Sequence, residues 1–175
     1  MANRIGIDLG GTKIEAIIID DQFQVIDRKR IPTLRDEGYD AIINRIIDLS
    51  KEMIGIGDID GPIGICTPGT IEATTGLLKN SNTVCLIGKP IQKDMEDALG
   101  IPVLMENDAN CFALAEATIG AAKKYDVVFG VILGTGCGAG IVMNKKIHRG
   151  ANAIAGEWGH HTLYPDGRSC YCGNQ

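Results

Sequence analysis

The sequence predicts an α/β protein, and three observations carry that prediction. Residues 4–20, Arg-Ile-Gly-Ile-Asp-Leu-Gly-Gly-Thr-Lys-Ile-Glu-Ala-Ile-Ile-Ile-Asp, alternate buried-type and other side chains on either side of a glycine pair, as two strands joined by a tight turn do. From Asp36 to about Ile54 the period changes. Ile42, Ile46, Leu49 and Met53 fall at i, i+4, i+7 and i+11, one stripe of an amphipathic helix. A second strand–glycine–strand unit then recurs over residues 127–143.

In the first unit Ile5, Ile7 and Leu9 mark the inner face of one strand, and Ile14, Ala16 and Ile18 that of the next. Gly10, Gly11 and Thr12 form the tip. A glycine tip aims several backbone N–H groups at one point, which suits a phosphate. Asp8 would serve a Mg²⁺ ion bridging phosphate oxygens, while Thr12 and Lys13 add a hydroxyl and an ammonium. No helix follows the glycines, so the segment is neither a Rossmann fingerprint nor a P-loop. An ordinary tight hairpin satisfies the same pattern.

Gln22–Pro32 reads as a third strand, ended by its proline. Asp36 or Asp40 is the expected cap of the helix that follows, and Gly55 and Gly57 its stop. Pro62–Cys66 is a short buried strand running into Thr67-Pro68-Gly69, a turn at the kind of strand end where open α/β sheets bind ligands. Residues 70–90 show no period and hold a polar loop, Lys79-Asn80-Ser81-Asn82-Thr83. A helix is expected from Ile91 to Leu99, stopped by Gly100, and then a strand over Val103–Met105.

Glu106-Asn107-Asp108 falls between that strand and a helix expected over Ala109–Ile119. A carboxylate there is held ionised by the helix dipole and faces a ligand, although plain N-capping accounts for it equally. Val127–Leu133 is a strand, Gly134-Thr135-Gly136-Cys137-Gly138-Ala139-Gly140 a glycine-dense turn, and Ile141–Met143 the returning strand. Its Thr135 hydroxyl repeats the chemistry of the first hairpin, and two such tips would grip the two ends of a triphosphate. Further on, His160 in Gly156-Glu157-Trp158-Gly159-His160-His161 precedes Cys170-Tyr171-Cys172-Gly173 by about ten residues. Imidazole and thiolates read as part of a zinc site. Three candidates are too few for a closed tetrahedron, and unligated thiols with a solvated histidine are an equal reading.

The composition narrows the function classes. With 175 residues, 45% of them apolar, the chain supports a packed core. A net charge of −5 without any Lys/Arg run gives no nucleic-acid surface. No apolar stretch reaches membrane-spanning length, and a strand begins at Arg4, leaving no room for a signal peptide. The expectation is a soluble, cytoplasmic protein with neither nucleic-acid nor membrane partners. Of the six cysteines, Cys66, Cys85, Cys111 and Cys137 sit among apolar residues and are expected to be buried, reduced thiols.

In order and spacing, five motifs resemble those of the ROK sugar kinases: Asp8-Leu9-Gly10-Gly11-Thr12-Lys13, Thr67-Pro68-Gly69, Glu106-Asn107-Asp108-Ala109-Asn110, Gly134-Thr135-Gly136-x-Gly138, and Gly156-Glu157-x-Gly159-His160 with Cys170-x-Cys172-Gly173. The resemblance covers essentially the whole chain. It implies a fold similar to those of actin and hexokinase, with two ribonuclease-H-like lobes closing on ATP and sugar. The N-terminal lobe would take residues 1–118, and residues 119–175 would open the second. It also implies roles. Asp108 would be the general base, and Gly69, Asn82, Asn107, Glu157 and His160 would bind sugar. Asp8, Gly10, Gly11, Thr12 and Lys13 would join Gly134, Thr135 and Gly136 in holding ATP and Mg²⁺. Structural Zn²⁺ would sit on His160, Cys170 and Cys172, and a full-length form would be a homodimer.

The chain departs from the family pattern at its end. The further Gly-Cys and Glu of the cysteine motif are absent, and ROK kinases are usually nearly twice as long. Weak or no kinase activity from these residues alone, and crippled zinc binding, are therefore expected. The reaction implied is ATP-dependent phosphorylation of a hexose of the fructose, mannose or glucose type. N-acetylglucosamine or N-acetylmannosamine kinase and a non-catalytic sugar-binding ROK fragment are the alternatives. Repressors of the family carry a winged helix-turn-helix before the first hairpin, where this chain has only three residues before Arg4.

Overall fold

The computed structural model describes residues 3–134, 136–162, 164–169 and 173. They form two compact units, Met1–Asp108 and Ala109–Gln175. Among the described residues, no helix is long and apolar enough to cross a membrane.

The first unit is built on β1 (Arg4–Leu9), β2 (Lys13–Ile19), β3 (Val25–Pro32), α1 (Tyr39–Ile56), β4 (Ile63–Thr67), β5 (Thr70–Ile71), β6 (Leu78–Lys79), α2 (Ile91–Leu99) and β7 (Val103–Asn107). Five strands make one sheet in the order β3-β2-β1-β4-β7. The meander β1–β2–β3 is antiparallel, and β4 and β7 add parallel to β1. This mixture follows from the connections: the glycine tip allows a tight reversal, whereas α1 and α2 return the chain to the same end for each parallel strand. The inner face of the sheet carries Ile5, Ile7, Leu9, Ile14, Ile18, Ile63 and Ile65, all buried. The α1 stripe of Ile42, Ile46, Leu49 and Met53 packs into that same core, each side chain contributing about 1.5–3 kcal/mol of burial.

Several boundaries differ from expectation for physical reasons. Gly38 occupies the N-cap of α1 and no side chain caps it, so neither Asp36 nor Asp40 takes that role. Gly55 lies inside the helix, which Gly57 ends. Residues 70–79 pair as a two-stranded hairpin, β5 and β6, too short to show an alternation. β7 extends through Glu106 and Asn107 because both continue the ladder with β4.

The second unit carries α3 (Asp108–Thr118, entering from the last residue of the first unit), β8 (Val127–Leu133), β9 (Cys137–Met143) and β10 (Lys146–Ile147). The three strands form an antiparallel sheet in the order β10-β9-β8. β9 begins four residues earlier than expected, so Gly138 and Gly140 are strand residues. The reason is close approach. A Cβ on Gly140 would lie 2.5 Å from the Ala109 carbonyl oxygen and 2.8 Å from the Ala113 Cβ. Glycine lets α3 lie directly on the strand, and Ala113 and Ala117 complete a core with Val128 and Val142. By packing, α3 thus goes with this unit, and the division falls after 108 rather than after 118. Cysteine burial also differs: Cys66, Cys85 and Cys111 are half-buried and Cys137 is exposed, all as free thiols.

A two-residue turn, Asn144–Lys145, joins β9 to β10 with both residues at positive φ. It aims the Lys145 ammonium at the end of α3, where Nζ donates to the carbonyls of Ala117 (2.7 Å), Lys123 (2.7 Å) and Tyr125 (3.0 Å). A cation there satisfies the Ala117 carbonyl that the helix end leaves open, together with two carbonyls of the segment that follows the helix. Lys145→Met is expected to cost about 1–3 kcal/mol and lower Tm by about 3–10 °C in a thermal melt. An unchanged Tm would show that water replaces the ammonium without loss.

Candidate active site

The candidate residues of the first unit gather at strand ends. β1, β4 and β7 run parallel, so their carboxyl ends open on one edge of the sheet. The register sets Asp8 beside Cys66 and Cys66 beside Glu106, and pairs Thr67 with Asn107 in the next row. Gly69 follows from β4 and Asp108 from β7. Asp8 and Asp108 therefore leave the same edge two strands apart, about 10 Å in the plane of the sheet. Asp8 is exposed, and the Cys66 thiol lies 3.4 Å from its Oδ1. An exposed carboxylate leading into a glycine tip is a hard oxygen donor of the kind that suits Mg²⁺.

The tip itself is clamped. Gly10 N–H donates to the Lys13 carbonyl (3.0 Å), and Thr33 N–H donates to the Thr12 carbonyl (3.0 Å). The fully buried Thr33 hydroxyl donates to the Gly10 carbonyl at 2.7 Å. Carbonyls are thus turned toward protein partners, and Thr12 and Lys13 remain exposed. Thr33 is not among the residues the motifs single out. Its one signal in the sequence is a threonine directly after a strand-ending proline, where the third strand returns to the tip.

At the ends of β4 and β7, Asn107 is the link. Its Nδ2–H donates to the Gly69 carbonyl at 3.1 Å, and its own N–H is bonded to Glu106 Oε1 at 2.9 Å. Gly69 takes φ +88°, and a Cβ there would lie 3.0 Å from both the Asn80 carbonyl carbon and Ser81 N, and closer still to the Lys79 oxygen. The Thr67-Pro68-Gly69 turn is therefore seated on the 79–81 backbone. Within that loop Thr83 N–H donates to the buried Ser81 Oγ (3.1 Å), which leaves Asn82 exposed. Across β5 and β6, Lys79 Nζ meets Glu72 Oε1 at 3.0 Å. The hydrogen bond and charge of that ammonium hold the Glu72 carboxyl below its usual range. Elsewhere in this unit burial, and then the Asp94 carboxylate to which its hydroxyl donates (2.6 Å), push the Tyr39 phenol up.

The structure thus gathers Asp8, Gly10, Gly11, Thr12, Lys13, Gly69, Asn82, Asn107 and Asp108 in the first unit. Asp108 opens α3 one residue earlier than expected, with Glu106 and Asn107 in the strand before it.

In the second unit Leu133 pairs with Cys137, and Gly134 N–H donates to the Gly136 carbonyl at 2.9 Å, closing the glycine tip. Thr135 lies outside the described residues. The Gly156–His160 motif runs along β9, whose strand leads out of that tip. Trp158 Nε1–H donates to the Gly138 carbonyl at 3.1 Å. Glu157 and His160 are half-buried, with His160 Nε2 3.8 Å from Glu157 Oε2. Cys170 and Cys172 lie outside the described residues. Among the described residues, no group of three or more His, Cys, Asp and Glu side chains is placed to hold a metal. His160, the one expected zinc ligand described, is turned toward Glu157.

An antiparallel meander extended by two parallel strands, with a glycine-tipped hairpin and carboxylates on one edge, defines the actin-like ATPase class of α/β fold. The chain belongs to the ROK family, whose model matches residues 4–175. It is 40% identical over 178 aligned residues to the N-acetyl-D-glucosamine kinase of Citrobacter koseri, a match covering 96% of this chain and 58% of that protein. It is similar to the structure of a ROK family glucokinase from Streptomyces griseus in complex with glucose and AMPPNP, at 31% identity and a TM-score of 0.88, over 99% of this chain and 55% of that one. The ROK hexokinase from Thermus thermophilus is 34% identical with a TM-score of 0.84, over 99% of this chain and 57% of that one. The chain thus spans little more than half the length of these relatives.

Proposed function

We propose that the complete protein transfers the γ-phosphoryl group of ATP to a hydroxyl of a hexose. The observation that carries this reading is the common strand edge from which the Asp8 hairpin, the Gly69–Asn107 link and Asp108 all emerge. Asp108 accepts the proton of the attacking sugar hydroxyl while the oxygen of that hydroxyl bonds to phosphorus and the bond from phosphorus to ADP breaks. Asn107, Gly69 and Asn82 in the first unit position the sugar. Gly10–Lys13 hold the phosphates. Mg²⁺ at Asp8 would supply charge neutralisation on the phosphate oxygens. No step runs through zinc.

The relative from Citrobacter koseri, by its name an N-acetyl-D-glucosamine kinase, favours a second reading in which the hexose carries a 2-acetamido group. ADP release coupled to a dehydrogenase, measured on the complete protein with glucose, fructose, mannose and N-acetylglucosamine, tests both. Release with any of them supports the kinase. Sugar binding without ADP release leaves a non-catalytic sugar-binding protein and sinks it.

A further inference from the structure

The first glycine tip contains a peptide with glycine on both sides, Gly10–Gly11. Without a Cβ on either residue, little in the local backbone stops that plane from turning over. Its carbonyl is nevertheless held. The Thr33 hydroxyl donates to the Gly10 oxygen at 2.7 Å, from a residue that is fully buried. Threonine hydroxyls at the ends of elements ordinarily bond backbone groups within about four residues. This one reaches 23 residues back along the chain.

The third strand delivers that hydroxyl. β3 stays in register with β2 as far as the Lys13–Pro32 pair, and Thr33 N–H continues the contact onto the Thr12 carbonyl at 3.0 Å. Leu34 then turns the chain at φ 52° and ψ 52°, a left-handed conformation unfavourable to an L side chain. Its own side chain is exposed, so the strain goes with the seating of Thr33 rather than with burial of the leucine. In a trans peptide the carbonyl and the N–H point in opposite directions, and every peptide among the described residues is trans. Holding the Gly10 oxygen toward Thr33 therefore turns the Gly11 N–H away from it. A flip would exchange the two and set a carbonyl oxygen where an anion needs a donor.

We propose that Thr33 is a positioning residue for the nucleotide's phosphates: its hydroxyl locks the Gly10–Gly11 peptide so that the Gly11 N–H donates to a phosphate oxygen. The assignment deepens the sugar-kinase reading and rests on it for the placement of phosphates at the tip. Calorimetric titration of the complete protein with AMPPNP and Mg²⁺ tests it. Thr33→Val keeps the side-chain shape and removes the donor, whereas Thr33→Ser keeps the donor. Thr33→Val should bind the nucleotide about 10- to 100-fold more weakly, the loss of a hydrogen bond to a charged group, and Thr33→Ser should stay within about threefold of the wild type. Lys145→Met, in the second unit, controls for lost stability alone and should leave nucleotide affinity unchanged. In the ¹⁵N-labelled wild type the Gly11 amide proton should move downfield when AMPPNP and Mg²⁺ are added, a measurement that decides the matter even if Thr33→Val does not fold.

An unchanged affinity in Thr33→Val, a loss matched by Thr33→Ser or by Lys145→Met, or a Gly11 amide that does not move overturns the assignment. If the wild type also releases ADP with a hexose, that result sinks the role of Thr33 alone and leaves the kinase standing. Nucleotide binding that depends on the Thr33 hydroxyl, without ADP release from any sugar, upholds the assignment and sinks the kinase. A wild type that binds no nucleotide sinks both.

Discussion

Replacing Asp108 with asparagine in the complete protein is expected to lower kcat by about 10²–10⁴ while leaving the sugar KM within a few-fold. The change is nearly isosteric, so α3 should still start at this position and Asn107 should keep its bond to Gly69. What is lost is the proton acceptor. An amide oxygen can still orient the sugar hydroxyl, so binding survives, but it cannot take the proton as the bond to phosphorus forms. Steady-state kinetics separate the two roles. A KM raised about a hundredfold with kcat preserved would make Asp108 a ligand and remove the base from the mechanism.

Gly69→Ala is expected to be the most damaging single methyl group in the first unit, costing about 3–5 kcal/mol. Two penalties combine. The residue sits at φ +88°, where an L side chain is strained, and its Cβ would press on backbone atoms of Lys79, Asn80 and Ser81 rather than on a flexible side-chain end. Gly76 supplies the control, because it also has positive φ (+71°) yet nothing lies within 4 Å of the point a Cβ would occupy there. Gly76→Ala should therefore cost only about 1 kcal/mol. Denaturant unfolding of the two variants isolates the clash, and equal losses would show that the 79–81 backbone yields freely.

Legibility in the sequence follows the physical origin of each feature. Ile91–Leu99 and Val127–Leu133 are legible with their observed bounds, because each has a clear period and a glycine stop or flank. β9 reads short in the sequence because Gly138 and Gly140 carry no hydrophobic signal. Those glycines exist for the approach of α3, and the small residues Ala109, Ala113 and Ala117 at four-residue spacing are the matching clue. The motif residues on the strand edge stand out because carboxylates, amides and glycines at fixed spacing interrupt the apolar pattern. Thr33 does not, since its contacts depend on which distant segments meet. Cys137 is exposed against expectation because apolar neighbours in sequence do not guarantee burial when alternate strand residues face outward.

The interlocking of Gly69, Asn107 and the 79–81 backbone means that this edge of the first unit is assembled when the chain folds and does not wait for a ligand. A ligand seated there, as the proposed function requires, would meet a rigid template, with little conformational entropy left to lose on binding. Amide protons of Asn80 to Thr83 in the sugar-free protein should accordingly exchange at the slow pace of the surrounding sheet rather than that of a free surface loop.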